Sequence, residues 1–335
     1  MKSIISKKEN NTPKRTKNSK FKKIMASASF ALCGSFIFAG CAGNTSSVSQ
    51  DSNYNSEKQV VTIGYLPITH SLTVLKEKEL LEENNSDIQI KLQRFSSWTD
   101  LMDALNAGKI DGASVLIELA MNAKANGIDL KAVALGHRDG NVVVASNDIE
   151  SVDDLKGKTI AIPSVQSSQN ILINELLERN GMSKNDVNII QIPPTEMPFS
   201  LASGAISGYC VAEPYGAISI SKNFGKVLAT SDELWNNSLC CALVLNGNIR
   251  SDEKVTNELI EKYYRAAEQL ESEGSEETAG KFLGQETSVI EESGKWIDFK
   301  NLTVSKEEYD DLCNKLKKYG INENPPSYED FIYNP

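Results

Sequence analysis

Side chains suited to holding a small polar molecule cluster in short segments of this chain: residues 68–71, 96–99, 136–141, 164–168, 193–197 and 213–215. These segments are rich in hydroxyl and amide groups, which donate and accept hydrogen bonds without needing to ionise. Thr69 and Ser71 flank His70, whose imidazole is placed either to hydrogen-bond a ligand or to cap the helix that follows. Trp98 offers an indole N–H and a stacking face, or simple packing at the start of a helix. Glu213, followed by Pro214 and Tyr215, either faces a ligand or pairs with a basic neighbour, whereas His137-Arg138 reads as a surface turn. The chemistry these residues suggest is capture, because no nucleophile–base pair stands out. Cys210, Cys240, Cys241 and Cys313 form no Cys-x-x-Cys pair and have no histidine cluster near them in sequence. They read as small core residues, with Cys240-Cys241 as a redox pair the lesser alternative, and neither a metal nor a cofactor is expected.

The elements that must position these segments are written twice. Leu105 to Val115 reads LNAGKIDGASV and Leu201 to Val211 reads LASGAISGYCV, both of the form L-x-x-G-x-I-x-G-x-x-V and offset by 96 residues. In each copy an amphipathic run stops at a glycine (Gly108, Gly204) that can close a helix in the left-handed conformation, and a short apolar strand follows. Thr62-Ile63 and Leu80-Leu81 upstream of the first copy match Thr159-Ile160 and Leu176-Leu177 upstream of the second. Strand, helix, helix and strand thus recur in order, which predicts two similar α/β lobes with mainly parallel sheets. Apolar runs at residues 142–145 and 242–245 are placed to join the lobes as a two-stranded hinge. The expected boundaries are residues 59–145 plus 246–335 for the first lobe and 146–245 for the second. Past Asn246 the composition turns acidic and helical, with an amphipathic helix over 252–273, a capping box at Ser305 and Glu308, and packing expected against the first lobe. In such sheets ligands bind beyond the carboxyl ends of the strands, so the polar segments should meet in a cleft between the lobes.

With 335 residues, 40% apolar and 24% charged, the chain has material for two globular cores. Its net charge of −10 conceals a basic leader. Residues 1–23 hold nine Lys or Arg against Glu9 alone, so the remainder carries −18. An uncharged run from Ile24 to Gly40 follows, as in a secretory signal, with an uncleaved anchor as the alternative. Phe38-Ala39-Gly40-Cys41 resembles the bacterial lipoprotein box, which implies a signal over residues 1–40, lipid on Cys41, and a polar tether over 41–58.

From Val60 to about Ile220 the chain resembles the solute-binding proteins of ABC importers for nitrate, bicarbonate, sulfonates, taurine and thiamine precursors, with the periplasmic-binding-protein fold. The resemblance rests on IGYLPITHS, SSWTDLMDALNAGKIDGA, VVVASNDIESVDDLKGKTIAIP and PPTEMPFSLASGAISGYCVAEPY. It implies ligand contacts from Trp98, Asn141 and the Gln166-Ser167-Ser168 loop. Ser167 and Ser168 stand where nitrate-type members carry histidine. It also implies a lipid-anchored monomer outside the cell membrane, partnered with a permease and its ATPase and having no nucleic-acid partner. An acidic body repels anions at long range, so the expected solute class extends from anions to neutral and zwitterionic molecules. An enzyme of cofactor-precursor synthesis and a ligand sensor for a membrane receptor are the alternatives on the same fold.

Overall fold

The computed structural model describes residues 58–334; the basic leader, Cys41 and nearly all of the expected tether lie outside the described residues. The strands are β1 (Gln59–Tyr65), β2 (Ile88–Arg94), β3 (Gly112–Leu116), β4 (Leu130–Leu135), β5 (Arg138–Asp139), β6 (Asn141–Ser146), β7 (Thr159–Ile162), β8 (Asn188–Gln191), β9 (Gly208–Ala212), β10 (Gly225–Thr230), β11 (Cys241–Asn246) and β12 (Ile297–Asp298). The helices are α1 (Leu72–Glu83), α2 (Trp98–Asn106), α3 (Ile117–Ala125), α4 (Ser168–Arg179), α5 (Met197–Ala202), α6 (Tyr215–Ser221), α7 (Ser231–Leu234), α8 (Gly247–Arg250), α9 (Glu253–Glu273), α10 (Glu276–Leu283), α11 (Thr287–Gly294), α12 (Lys306–Lys318) and α13 (Tyr328–Phe331). Among the described residues, no helix is long and apolar enough to cross a membrane.

The duplicated motif corresponds to duplicated topology. One five-stranded sheet has the order β2-β1-β3-β11-β4 and the other β8-β7-β9-β6-β10, which match position for position. In each, the strand next to the β4 or β10 edge runs antiparallel to both neighbours while the other four share a direction. The chain crosses between sheets just before β6 and just before β11. Each crossing strand pairs in the sheet it enters, so β6, expected with the first lobe, belongs to the second sheet, and β11 belongs to the first. Helix α6 and strand β10 have no counterpart in the sequence reading, which ended the second series at Val211.

Both motif glycines have identifiable work. Gly108 and Gly204 hold φ of 64° and 75° just beyond α2 and α5. Their amides donate to Leu105 and Leu201, and the next amides donate to Ala104 and Ser200, the same helix-ending pattern in both copies. The second glycine is where the crossing strand comes close. A Cβ on Gly112 would meet the Val244 carbonyl oxygen at 2.5 Å, and one on Gly208 would meet that of Val144 at 3.0 Å.

The C-terminal helices pack across the molecule. Helix α9 lies on α1, burying Leu259, Tyr263, Ala266, Ala267 and Leu270 as its spacing predicts. The Tyr263 hydroxyl donates to the Leu135 carbonyl at 2.9 Å. Helix α12 opens on the expected Ser305–Glu308 capping box. Its outer side also reaches the second lobe, in addition to the packing expected against the first. Lys315 and Tyr319 both reach Glu175 of α4, at 2.7 and 2.8 Å, and the Trp235 indole donates to Asp311 at 2.6 Å.

Gly112→Ala is expected to cost about 2–3 kcal/mol by overpacking. Gly108→Ala, strained in φ but with open space around it, is expected to cost about 1 kcal/mol. Urea unfolding of both variants measures the difference, and the order of the two costs tests the role given to each glycine.

Candidate functional site

A strand running against its neighbours starts where they finish. Cys241 opens β11 opposite Leu116, the last residue of β3, and Asn141 opens β6 opposite Ala212, the last of β9. Topology therefore delivers Asn141, Cys240 and Cys241 to the carboxyl edges of the sheets. The turn at Thr69–Ser71 and the first turns of α3 and α4 arrive at the same place.

There the two lobes touch. The Thr69 amide donates to the Glu213 carbonyl at 2.8 Å. The Thr69 hydroxyl lies 2.8 Å from His137 Nε2, and His137 Nδ1 lies 2.9 Å from the Arg138 carbonyl. A carbonyl only accepts, so Nδ1 carries the proton, and in the neutral ring Nε2 accepts from the Thr69 hydroxyl, whose one proton also lies 3.2 Å (O···O) from the Glu213 carbonyl. Burial, and then the charge of His70, push the His137 pKa well down, which favours this neutral form. Its ring stacks on His70 with centroids 3.8 Å apart. Arg138 is buried beside it and paired with Glu308 at 2.6 Å. His137-Arg138 is therefore interior, not the surface turn its polarity suggested: β12 pairs with β5 and covers it.

Around this contact, polar groups are buried without partners. Gln169 donates through Nε2 to Asn141 Oδ1 at 2.6 Å and reaches Cys240 Sγ at 3.4 Å. Asn141 Nδ2, Gln169 Oε1, Ser168 Oγ, Trp98 Nε1, both Glu118 oxygens and both His70 nitrogens find no hydrogen-bond partner in the protein. Burial raises the Glu118 pKa well above the usual carboxyl range, and the nearby Cys240 thiol adds to the rise; the Ser168 amide and hydroxyl oppose it without a hydrogen bond of ordinary geometry. For Cys240 burial acts upward, but the contact with Cys241 and the charge of His70 outweigh it and leave the thiol well below its usual range. Among the described residues the only buried Lys or Arg is Arg138, already paired.

A cavity of about 360 Å³ lies alongside, between the lobes. Ser97, Trp98, Thr99 and Leu119 line one wall; Ser164, Gln166, Pro193 and Pro194 line the other. Trp98 and Gln166 thus face a common space, as the loop placement predicts. Other predicted residues turn inward. Ser71 donates to the Leu66 carbonyl at 2.9 Å, and Ser167 caps α4 by accepting from the Asn170 amide at 3.3 Å. Glu213 meets the cleft through its backbone, since its carboxylate folds back over Gly216 and accepts from the Ala217 amide at 3.0 Å. Tyr215 is buried, which lifts its phenol to about 12 against the lowering charge of Arg94. Glu118, Gln169 and Cys240 were absent from the expected site, and His137 fell within an expected cleft segment but was read as part of a surface turn. A helix-start glutamate directly after a wholly buried strand was the signal available for Glu118.

The NMT1-like family matches residues 54–284, over half of the chain. The chain belongs to the NMT1-like family. This member is 34% identical to the ligand-binding component of an ABC-type import system from Staphylococcus aureus, solved with zinc bound, over 82% of this chain and 97% of that one, with a TM-score of 0.79. The alkanesulfonate-binding protein from Xanthomonas axonopodis pv. citri, solved with MOPS, shares the fold at 20% identity and a TM-score of 0.67, over 81% and 96% of the two chains. The nitrate import ATP-binding protein of Synechocystis sp. is 27% identical over 203 residues, 54% of this chain but 30% of that protein, so this NMT1-like chain spans about a third of that relative. Both solved structures are of proteins named for binding a ligand.

Burial lifts Glu213 to about 8. The folded chain keeps that proton up to about pH 8 while the unfolded chain releases it in the ordinary carboxyl range. Between those limits the folded state binds more protons, so stability falls as pH rises, by up to about 1.4 kcal/mol per unit. Glu213→Gln is expected to flatten the dependence of unfolding free energy on pH between 5 and 8, measured by denaturant titration at each pH. An unchanged slope would assign the dependence to other groups.

Proposed function

We propose that the chain is the extracytoplasmic solute-capturing component of an ABC importer, whose lobes close on one small polar or anionic molecule of the nitrate, bicarbonate, sulfonate or taurine kind. The observation that carries this reading is the convergence, from both sheets, of buried polar atoms with no protein partner beside an interlobe cavity. Each such atom costs about 1–3 kcal/mol when left unpaired. A solute that supplies the missing partners recovers that cost only when the lobes are together, which gives it differential affinity for the closed form. The donors on offer are neutral: the Trp98 indole, the Asn141 amide and the Ser168 hydroxyl. An anion would be held by directed hydrogen bonds, and a neutral or zwitterionic solute fits the same donors with Glu118 as an additional acceptor or donor.

Closure in this reading is a hinge motion at the two crossings. Both carry left-handed residues, Asp139 (φ 56°) and Gly140 (φ 74°) before β6, and Asn237 (φ 56°) before β11. The domain boundaries follow the sheets, with β6 moving with the second lobe and β11 with the first. Presentation of the solute to a permease and its ATPase, anchoring through lipid on Cys41 and action as a monomer complete the proposal.

Calorimetric titration with nitrate, bicarbonate, taurine, alkanesulfonates and pyrimidines is expected to find one solute bound per chain, with a smaller scattering radius once it binds. No binding below millimolar concentration together with an unchanged radius would sink the proposal. Asn141→Ala and Ser168→Ala are each expected to weaken binding about tenfold, the loss of one hydrogen bond to a buried ligand. Undiminished affinity in both would move the pocket elsewhere. Palmitate labelling of the full chain is expected to disappear in Cys41→Ala.

A further inference from the structure

One group of side chains in the cleft is poorly explained by a polar solute. His70, Cys240 and Cys241 bring a ring nitrogen and two sulfurs within 4.8 Å of one another, and all three residues are buried. The cysteines come from adjacent positions yet converge. Strand alternation, which would send neighbours to opposite faces, begins only at Cys241, so Cys240 is free to turn toward the same point. Their sulfurs lie 3.7 Å apart. Two thiolates on one tetrahedral cation, with metal–sulfur bonds of about 2.3 Å, stand about 3.8 Å apart, so the pair already spans the required edge. Both cysteines are free.

The imidazole supplies the second observation. His70 is 0% exposed and neither ring nitrogen has a hydrogen-bond partner. A buried imidazole in that state loses its hydration without replacement, and coordination through one nitrogen would restore it. The stacked His137 ring fixes the plane of His70. Gln169 Nε2, 3.4 Å from the Cys240 sulfur, is a donor suited to a charged thiolate.

We propose that His70, Cys240 and Cys241 form a three-ligand site for a single thiophilic divalent cation of the zinc class. Two sulfurs and one nitrogen favour such an ion over calcium or magnesium, which take oxygen. Three protein donors leave one of four positions open, the pattern of sites that hold an exchangeable water or ligand. Loading releases the thiol protons, because sulfur binds as thiolate. This goes beyond solute capture: solute binding measured in the presence of chelator stands or falls by itself.

The full chain, stripped with chelator under reducing conditions, is titrated with Cd2+ while sulfur-to-metal charge-transfer absorption is recorded. One cadmium per chain is expected, together with the charge-transfer band. Cys240→Ser and His70→Ala should each weaken binding at least about tenfold. Cys313→Ser, remote from the cluster, should leave it unchanged. Absence of the band, or a band undiminished in both Cys240→Ser and Cys241→Ser, overturns the proposal. Should the serine variants fail to fold, thiol modification of the wild-type chain decides: Zn2+ must slow alkylation of Cys240 and Cys241 but not of Cys313, and equal rates with and without the ion count against the site.

Discussion

A strand laid against the run of its neighbours begins at their carboxyl ends, and this constraint organises the molecule. Strands β6 and β11 both obey it, each entering its sheet beside the last strand of the duplicated motif. The geometry has a local requirement, which is backbone approach close enough to exclude a side chain at Gly112 and to crowd one at Gly208. It also has a distant consequence. The first residues of the crossing strands, Asn141 and Cys241, are set at the cleft by the same hydrogen-bond ladders that stabilise the sheets, so the polar cluster rests on rigid elements rather than on free loops.

Those ladders allow the cluster to remain incompletely satisfied. An unpaired buried amide or carboxyl is destabilising, and several stand together here without the whole collapsing. The surrounding core is one contiguous apolar cluster extending through both sheets, and it supplies the burial that offsets them. Charge is handled differently from hydrogen bonding. Arg138 is neutralised by Glu308, His137 is held neutral by burial, and Glu118 and Glu213 are pushed toward their neutral acids. Apart from the Cys240 thiol, which burial pushes up but the contact with Cys241 and the charge of His70 hold well below its usual range, the interior at the lobe junction is therefore polar but nearly free of unpaired charge, a suitable environment for directed hydrogen bonds.

Much of the fold was legible because periodicity and helix endings are local. The paired L-x-x-G-x-I-x-G-x-x-V stretches located α2, β3, α5 and β9, and Ser305 with Glu308 located the start of α12. The cavity lining was legible where a polar cap opens a helix, as Ser97 does before Trp98, and where a loop faces the cavity, as at Gln166. It was illegible where tertiary placement decides. His70 and Cys240 meet across 170 positions, so cysteines that read as core filler belong to a polar cluster. His137 and Arg138 looked solvated because nothing adjacent in sequence discloses that β12 will cover them. Strand membership failed for the same reason: apolar residues 142–145 say that a strand exists but not which sheet accepts it. Helix α6 and strand β10 lie past the second repeated stretch, where no matching pattern marks them.

The C-terminal helices tie these observations to motion. Helix α9 is joined to the first lobe through α1 and the carbonyl end of β4, whereas α12 reaches α4 of the second lobe through Lys315, Tyr319 and the pairing of Lys318 with Glu178. Residues that connect them pass β12, which pairs with β5 at the first crossing. A rotation about the crossings must then either break the α12 contacts or carry α12 along. The Lys318–Glu178 pair is exposed and weak, whereas Glu175 is buried and held by both Lys315 and Tyr319. A second buried interlobe contact, Thr69 with Glu213 and His137, lies beside the polar cluster. Opening is thus resisted in two places, and at the site itself a bound molecule is placed to change the balance.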